Sequence, residues 1–186
     1  MKESQIISAV QDCLNGKKES FGHIVEVFQN PLFRFCFHLL GSTEDARDAL
    51  SEVFMKTFSS LARYDQNQPF SGWIYRIAYN HCMDHLRKRK REKAFLQSQR
   101  SLSRSRSSFL PRTEAHDLKN LEMERMTRAL KKLPARYLSS LLLRYHLDLP
   151  YADIARIMNE PISTVRILIF RGKKELRKIM TQERWK

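Results

Sequence analysis

The sequence predicts an all-α protein of two small helical domains joined by a flexible basic linker, and three observations predict it. Apolar residues recur three and four positions apart along nearly the whole chain, and no two-residue alternation of a strand competes with that pattern. Five glycines and six prolines are too few for a turn-rich β protein or for low complexity. Between about Ala94 and Asn120 the periodicity lapses into "SQRSLSRSRSSFLPRTEAHD", a Ser- and Arg-rich stretch with a proline inside it, which has the composition of an extended linker. A chain of 186 residues can bury one sizeable core or two small ones, so the units are placed at 1–95 and 120–186 with 96–119 between them.

Taken in order, Ile6, Ile7, Val10 and Leu14 recur at helical spacing and Gly16 follows as a stop. Ser20 is placed to cap a second helix carrying Phe21, Ile24, Val25 and Phe28. Pro31, at a helix start, opens the apolar segment Leu32 to Leu40, which Gly41 ends. Ser42 heads a longer helix with Ala46, Ala49, Leu50, Val53, Phe54, Thr57, Phe58 and Leu61 on one face. "YDQNQPFSG", Tyr64 to Gly72, is a loop by composition. The next stripe, Trp73, Ile74, Ile77, Ala78, Met83 and Leu86, runs out into "RKRKREK". Beyond the linker come helices over Leu121 to Lys132, Pro134 to Leu147, Tyr151 to Met158 and Pro161 to about Met180.

The net charge of +14 is unevenly held. Residues 1–86 have 8 basic and 10 acidic side chains, residues 87–110 have 9 and 1, residues 111–165 have 9 and 7, and residues 166–186 have 8 and 2. A uniformly basic surface could serve solubility alone. Two concentrated patches on a balanced protein point instead to two contacts with a polyanion. Cys13, Cys36 and Cys82 are odd in number and widely spaced, which suits a reducing cytoplasm. The first residues carry no long apolar run, so no signal peptide is expected.

"YADIARIMNEPISTVRILIF" has the grammar of a helix-turn-helix. Ile154 and Met158 form the inner face of the first helix, and Ala155 is small where two helices must approach closely. Asn159 can take the left-handed conformation of the turn, and Pro161 suits the start of the second helix. There Val165, Leu168, Ile169, Gly172 and Leu176 make a core stripe. Ser163, Arg166, Ile167, Phe170, Arg171 and Lys174 share the opposite face. Arginine can grip guanine in a bidentate manner and apolar groups can meet thymine methyls, so this face has the chemistry of a major-groove reader. A basic helix standing alone is more often an ordinary surface helix; the turn grammar reverses that preference.

In the first unit, Glu44, Asp48 and Glu52 align at i, i+4 and i+8, where like charges cost a helix a few tenths of a kcal/mol per pair. Glu44 and Asp45 sit in a first turn that favours acids; Asp48 and Glu52 do not, and suggest a basic protein partner. "FSGWIYRIAYNHCMDHLRKRKR" sets aromatics, an asparagine and cations beside a polar loop, as a single-strand or flipped-base site requires. His81, Cys82, Asp84 and His85 lack a second ligand cluster, so no metal is expected. No phosphate-cradling glycine loop, nucleophile elbow or catalytic triad is present, so no catalytic residues, cofactor or small-molecule substrate are expected.

At this point the residues resemble a known family, the extracytoplasmic-function sigma factors of bacterial RNA polymerase. Asp45, Asp48, Glu52, Val53, Phe54, Phe70, Trp73, Ile77, Ala78, Asn80, Asp84 and Arg87 match their region 2. Leu133, Pro134, Ile154, Ala155, Pro161, Thr164, Val165 and Arg171 match their region 4. The resemblance implies that Asp45, Asp48, Glu52 and Phe54 dock on the clamp helices of core polymerase. It implies that Tyr64, Phe70, Trp73 and Asn80 open the minus-ten element and capture a base, with Arg87, Arg89 and Arg91 on phosphates. Ser163, Thr164, Arg166, Ile167, Phe170, Arg171 and Lys174 would read the minus-thirty-five element, and the linker would thread toward the polymerase cleft. An anti-sigma factor is an implied further partner. Three departures stand out: Ser51 where a glutamine is usual, Ser163 where a glycine is usual, and Arg166-Ile167-Leu168 where relatives carry basic-Ser-Arg. Two rival classes remain on the residues alone: a dimeric helix-turn-helix regulator, and an RNA-binding or chaperone-like protein using the Ser/Arg stretch on single strands.

Overall fold

A computed structural model describes residues 3–99 and 118–183. Among them eight α-helices and short 3-10 and π turns carry the fold, with no strand. The helices are α1 (Glu3–Leu14), α2 (Phe21–Leu40), α3 (Thr43–Ser59), α4 (Phe70–Gln99), α5 (Leu118–Lys131), α6 (Ala135–Leu141), α7 (Tyr151–Met158) and α8 (Ile162–Glu183). The all-α expectation holds. Most of the expected linker, residues 100–117, lies outside the described residues.

α1 to α4 form the first bundle. Ile24, Phe28, Leu32, Phe35 and Leu39 fall on one face of α2 and are buried, so Pro31 does not begin a helix but sits within one. Proline removes one backbone donor from the ladder, and the burial of that continuous apolar face outweighs the loss. Ser20 makes no side-chain cap; it belongs to a 3-10 turn in right-handed helical conformation. Ser42 does cap: extended at φ −131°, its hydroxyl accepts the Asp45 N–H at 3.2 Å. Gly41 closes α2 at φ 75°, where a side chain would be strained.

α4 begins at Phe70, inside the segment expected to be a loop, and runs on through the basic stretch to Gln99, past the boundary expected at 95. Arg, Lys, Glu, Ala, Leu and Gln are strong helix formers, so the charge run continues the helix rather than ending it. Ile74, Ala78 and Cys82 are buried against α2 and α3. A hydrogen bond with Cys36, and then burial, hold the Cys82 thiol far above its ordinary range.

α5 to α8 form the second bundle around Leu138, Leu143, Ile154, Ile157, Val165 and Ile169. Pro134 stands before α6, which passes into a π turn over Leu142–His146. Asn159 adopts φ 52° at the turn between α7 and α8, and the next N–H, of Glu160, bonds the Ala155 carbonyl at 3.0 Å. A Cβ on Gly172 would meet Leu141 and Tyr137 at 3.3 Å, so α8 lies close on α6.

The two bundles touch. α7 packs on α4, and Arg156 donates to the side-chain oxygen of Gln68. Tyr79 of α4 is buried, with Ser139 as a hydrogen-bond partner and Arg136 and Glu160 nearby. At the other end, the rings of His38 and His146 meet edge to face at 6.3 Å, and Lys131 lies over Phe37 at 5.8 Å. Burial first, then His146, Lys131 and Arg34, hold the His38 pKa below its ordinary 6.5.

A pH dependence follows. Around the ordinary value the unfolded chain binds more protons at His38 than the folded chain does, so stability is full above that value and falls as pH drops below it. Denaturant midpoints measured from about pH 8 down to about pH 5.5 are expected to decline, and His38→Gln should flatten the slope. His81, also lowered, chiefly by burial and next by Lys56, supplies the remainder. An unchanged slope in His38→Gln would show that the contact does not report on protonation.

Candidate nucleic-acid and polymerase interfaces

The expected site residues fall into three places. On α3, Asp48 and Glu52 are exposed and form no ion pair among the described residues. Met55 (57% exposed) continues their stripe at i+7, and Phe58 (40% exposed) flanks it. Phe58 therefore leaves the buried face assigned to it, although its edge meets Phe21 at 5.1 Å. The periodicity that places Asp48 and Glu52 outside also places Met55 there, so the acidic face has an apolar end that charge alone did not reveal. Phe54 is half-buried against Phe21, at 6.3 Å.

Asp45 stands apart from this face. Its carboxylate lies 3.8 Å from Arg89 and 4.0 Å from His85, and Arg89 also donates to the Leu40 carbonyl at 3.4 Å. Arg89 thus bridges the C-terminal end of α2 and the N-terminal turn of α3, both places where its charge and that of Asp45 suit the helix dipoles. Asp45, expected at polymerase, and Arg89, expected at phosphate, are thus joined to each other within the chain, and Arg89 stays exposed. Arg87 pairs with Asp84 at 2.8 Å and stays exposed; Arg91 is exposed with no ion pair among the described residues. The residues weighed for a metal diverge: His81 Nδ1 lies 3.0 Å from Lys56 Nζ, Cys82 points into the core, and Asp84 is taken by Arg87.

The second place is the segment 64–80. Tyr64 and Phe70 are 7% and 0% exposed. Phe70 packs on Phe28, Tyr64 and Trp73 at centroid distances of 5.7, 5.1 and 5.5 Å, and Tyr64 on Trp73 at 5.2 Å. Both rings, expected at the minus-ten element, are thus buried at the base of the loop. The Tyr64 hydroxyl donates to the Gln68 carbonyl and holds the loop closed on itself. What remains outward is half-buried Trp73, exposed Asn80 and, missed from sequence, exposed Arg76 between them. α7 lies over the start of this face: a cavity of about 240 Å³ is lined by Gln68, Gly72, Trp73 and Arg76 on one side and Asp153 and Arg156 on the other.

The third place is α8. Val165, Leu168, Ile169 and Gly172 are buried, as the core stripe requires. Ser163, Arg166, Ile167, Phe170, Arg171 and Lys174 are exposed together on one face, and Thr164 is half-buried at its edge. The helix-turn-helix is therefore formed, with its outward face unobstructed by the described residues.

Comparison with known proteins agrees with this geometry. The Sigma-70 region 2 family matches residues 24–92, and the Sigma-70, region 4 family matches residues 123–176, together more than half of the chain. The ECF RNA polymerase sigma factor SigW of Bacillus subtilis is 28% identical over 185 residues, covering 95% of this chain and 97% of that protein. The RNA polymerase sigma-H factor of Pseudomonas aeruginosa is 26% identical, covering 96% of this chain and 94% of that protein. Among solved structures, CnrH in complex with the cytosolic domain of CnrY shares the fold at a TM-score of 0.70 and 17% identity, covering 97% of this chain and 99% of that one. RpoE in complex with the anti-sigma factor NepR from Bartonella quintana does so at 0.68 and 20%, covering 88% and 98%. No helix among the described residues is long and apolar enough to cross a membrane. The chain belongs to the sigma-70 family as an extracytoplasmic-function sigma factor, a factor that binds RNA polymerase and directs promoter-specific initiation of transcription.

Proposed function

We propose a division of labour along the chain. Residues 1–95 dock on core polymerase and open the minus-ten element, residues 96–119 thread toward the polymerase cleft, and residues 120–186 read the minus-thirty-five element. Docking uses the α3 face of Asp48 and Glu52, extended by Met55 and Phe58. Opening uses Trp73 and Asn80 above the ring cluster of Tyr64 and Phe70, with Arg87 and Arg91 on phosphates. Reading uses α8. The chain works in the cytoplasm as a non-catalytic factor, the chemistry being that of the polymerase. An anti-sigma factor is the proposed regulator, since CnrH and RpoE were solved with CnrY and NepR.

The observation that carries this reading is the exposed face of α8 in the same chain as an acidic face on α3 that is exposed and unpaired among the described residues. A duplex-binding regulator needs the first and has no use for the second. The proposal also requires α7 to leave α4 on promoters. Elements named ten and thirty-five base pairs upstream are about 85 Å apart at 3.4 Å per pair, too far for two bundles in contact to read together.

Run-off transcription with purified core polymerase, with and without the chain, tests the reading. Initiation from a subset of genomic promoters only when the chain is present is the expected result. Tight duplex binding without polymerase, and no stimulation of initiation with it, would favour a stand-alone regulator.

A further inference from the structure

Down the outward side of α8, Ser163, Ile167, Phe170 and Lys174 stand at i, i+4, i+7 and i+11, a single stripe. Its middle is apolar and open: Ile167 is 50% exposed and Phe170 69%. Arg166 lies one turn before Phe170, and Arg171 one turn after Ile167; both are exposed and without an ion pair among the described residues. The helix cannot roll to hide the pair. Val165 and Ile169 are buried on its other side, and Gly172 lies so close to Leu141 and Tyr137 that a rotation would drive a side chain into them.

A large apolar pair held outward in a basic face gains nothing for the fold, so its role is in contact. The face is cationic, hence the contact is a duplex; and the base edges of the major groove offer one prominent apolar group, the C5-methyl of thymine. Residues at i and i+4 are about 5–6 Å apart, within two base-pair steps, so each apolar side chain has an arginine within reach of a neighbouring pair.

We propose that Ile167 and Phe170 are specificity residues that read thymine methyl groups in the upstream promoter element, next to guanines held by Arg166 and Arg171. This rests on the assignment of α8 to that element, and it concerns what is read there. A hydroxyl at position 167 would favour hydrogen-bonding base edges; the branched alkyl group of Ile167 has no donor or acceptor and selects the methyl instead.

The test uses holoenzyme reconstituted from the full chain and core polymerase. Duplexes randomised over the upstream element are enriched by binding, and each thymine of the enriched duplex is then replaced in turn by deoxyuridine, which deletes the methyl and nothing else. The expected result is about fourfold weaker binding at one or two positions, the equivalent of ~0.8 kcal/mol for one buried carbon group. Ile167→Ser and Phe170→Ala should each erase the penalty at one of those positions while guanine preference persists. Both side chains are exposed, so unfolding midpoints of the variants should match the parent. Indifference to every deoxyuridine overturns the proposal, as does a penalty that survives in both variants. An affinity loss in Ile167→Ser that is equal on all duplexes also overturns it, as a contact without specificity. If holoenzyme initiates but enriches no upstream sequence, the assignment of α8 itself falls; an enriched element that ignores the methyls removes only the present inference.

Discussion

Asp48→Arg together with Glu52→Arg is expected to cost the chain its hold on core polymerase, by several kcal/mol or on the order of a hundredfold or more in affinity, while the fold stays intact. The two carboxylates lie one turn apart on α3, exposed and unpaired among the described residues, and an acidic pair at that spacing slightly disfavours its own helix. Reversal therefore removes a small repulsion, creates a similar one, and leaves the helix near its starting stability. What changes is the sign presented to a partner. If the partner surface is basic, two attractions become two like-charge contacts, and the loss should shrink as salt rises. Met55 and Phe58 give the face an apolar end, so Met55→Ala should weaken binding without the salt dependence. The measurement is equilibrium binding of core polymerase to the labelled chain at two ionic strengths, beside binding to promoter duplex alone. Undiminished capture of core by the double variant would sink the docking assignment.

How much of this was legible in the sequence differs by element. The two faces of α8 were readable, because one helical period separates Val165, Leu168, Ile169 and Gly172 from the outward residues, and period is a local property. The turn at Asn159 was readable for the same reason, a local backbone demand met by a residue that tolerates it. Pro31 misled because its effect on a helix depends on what the helix buries. As the opening of a helix it costs nothing, and inside α2 it is tolerated only because Ile24, Phe28, Leu32, Phe35 and Leu39 need one continuous face. The charge run after Leu86 is exposed along its described length, and helical propensity carries α4 through it, past the boundary that composition suggested at 95. Arg89 and Asp45 were each assigned to a partner outside the chain. They meet each other because α2 and α3 place an end of each helix beside α4, which no local pattern encodes. The contact of α7 with α4 is beyond sequence reading altogether, since Gln68 and Arg156 are 88 positions apart and neither is unusual in its own segment.

Phe70 sharpens the difference between a residue that touches a ligand and one that shapes the surface that does. Matching a motif of promoter opening, it is nevertheless fully buried, ringed by Phe28, Tyr64 and Trp73. Phe70→Ala removes most of a ring from a packed site whose neighbours are themselves rigid aromatics, so little collapse can fill the space. The expected loss is about 3–5 kcal/mol of folding stability, the range for buried aromatic truncation. With typical domains stable by about 5–15 kcal/mol, much of the margin of the first bundle would go. Trp73 loses a neighbour as well, so promoter opening should fall, in step with the loss of folded protein and recovering toward low temperature. Phe70→Leu, which keeps most of the volume, should restore the larger part of both. Asn80→Ala is the contrast, since Asn80 is exposed on the same helix: its unfolding midpoint should move by no more than about 0.5 kcal/mol. If opening falls in Asn80→Ala without a change in stability, that side chain touches DNA. Denaturant unfolding of the three variants, set beside permanganate reactivity of thymines in the opened promoter, separates the two roles. A Phe70→Ala chain as stable as its parent yet unable to open promoters would place the ring on the DNA after all.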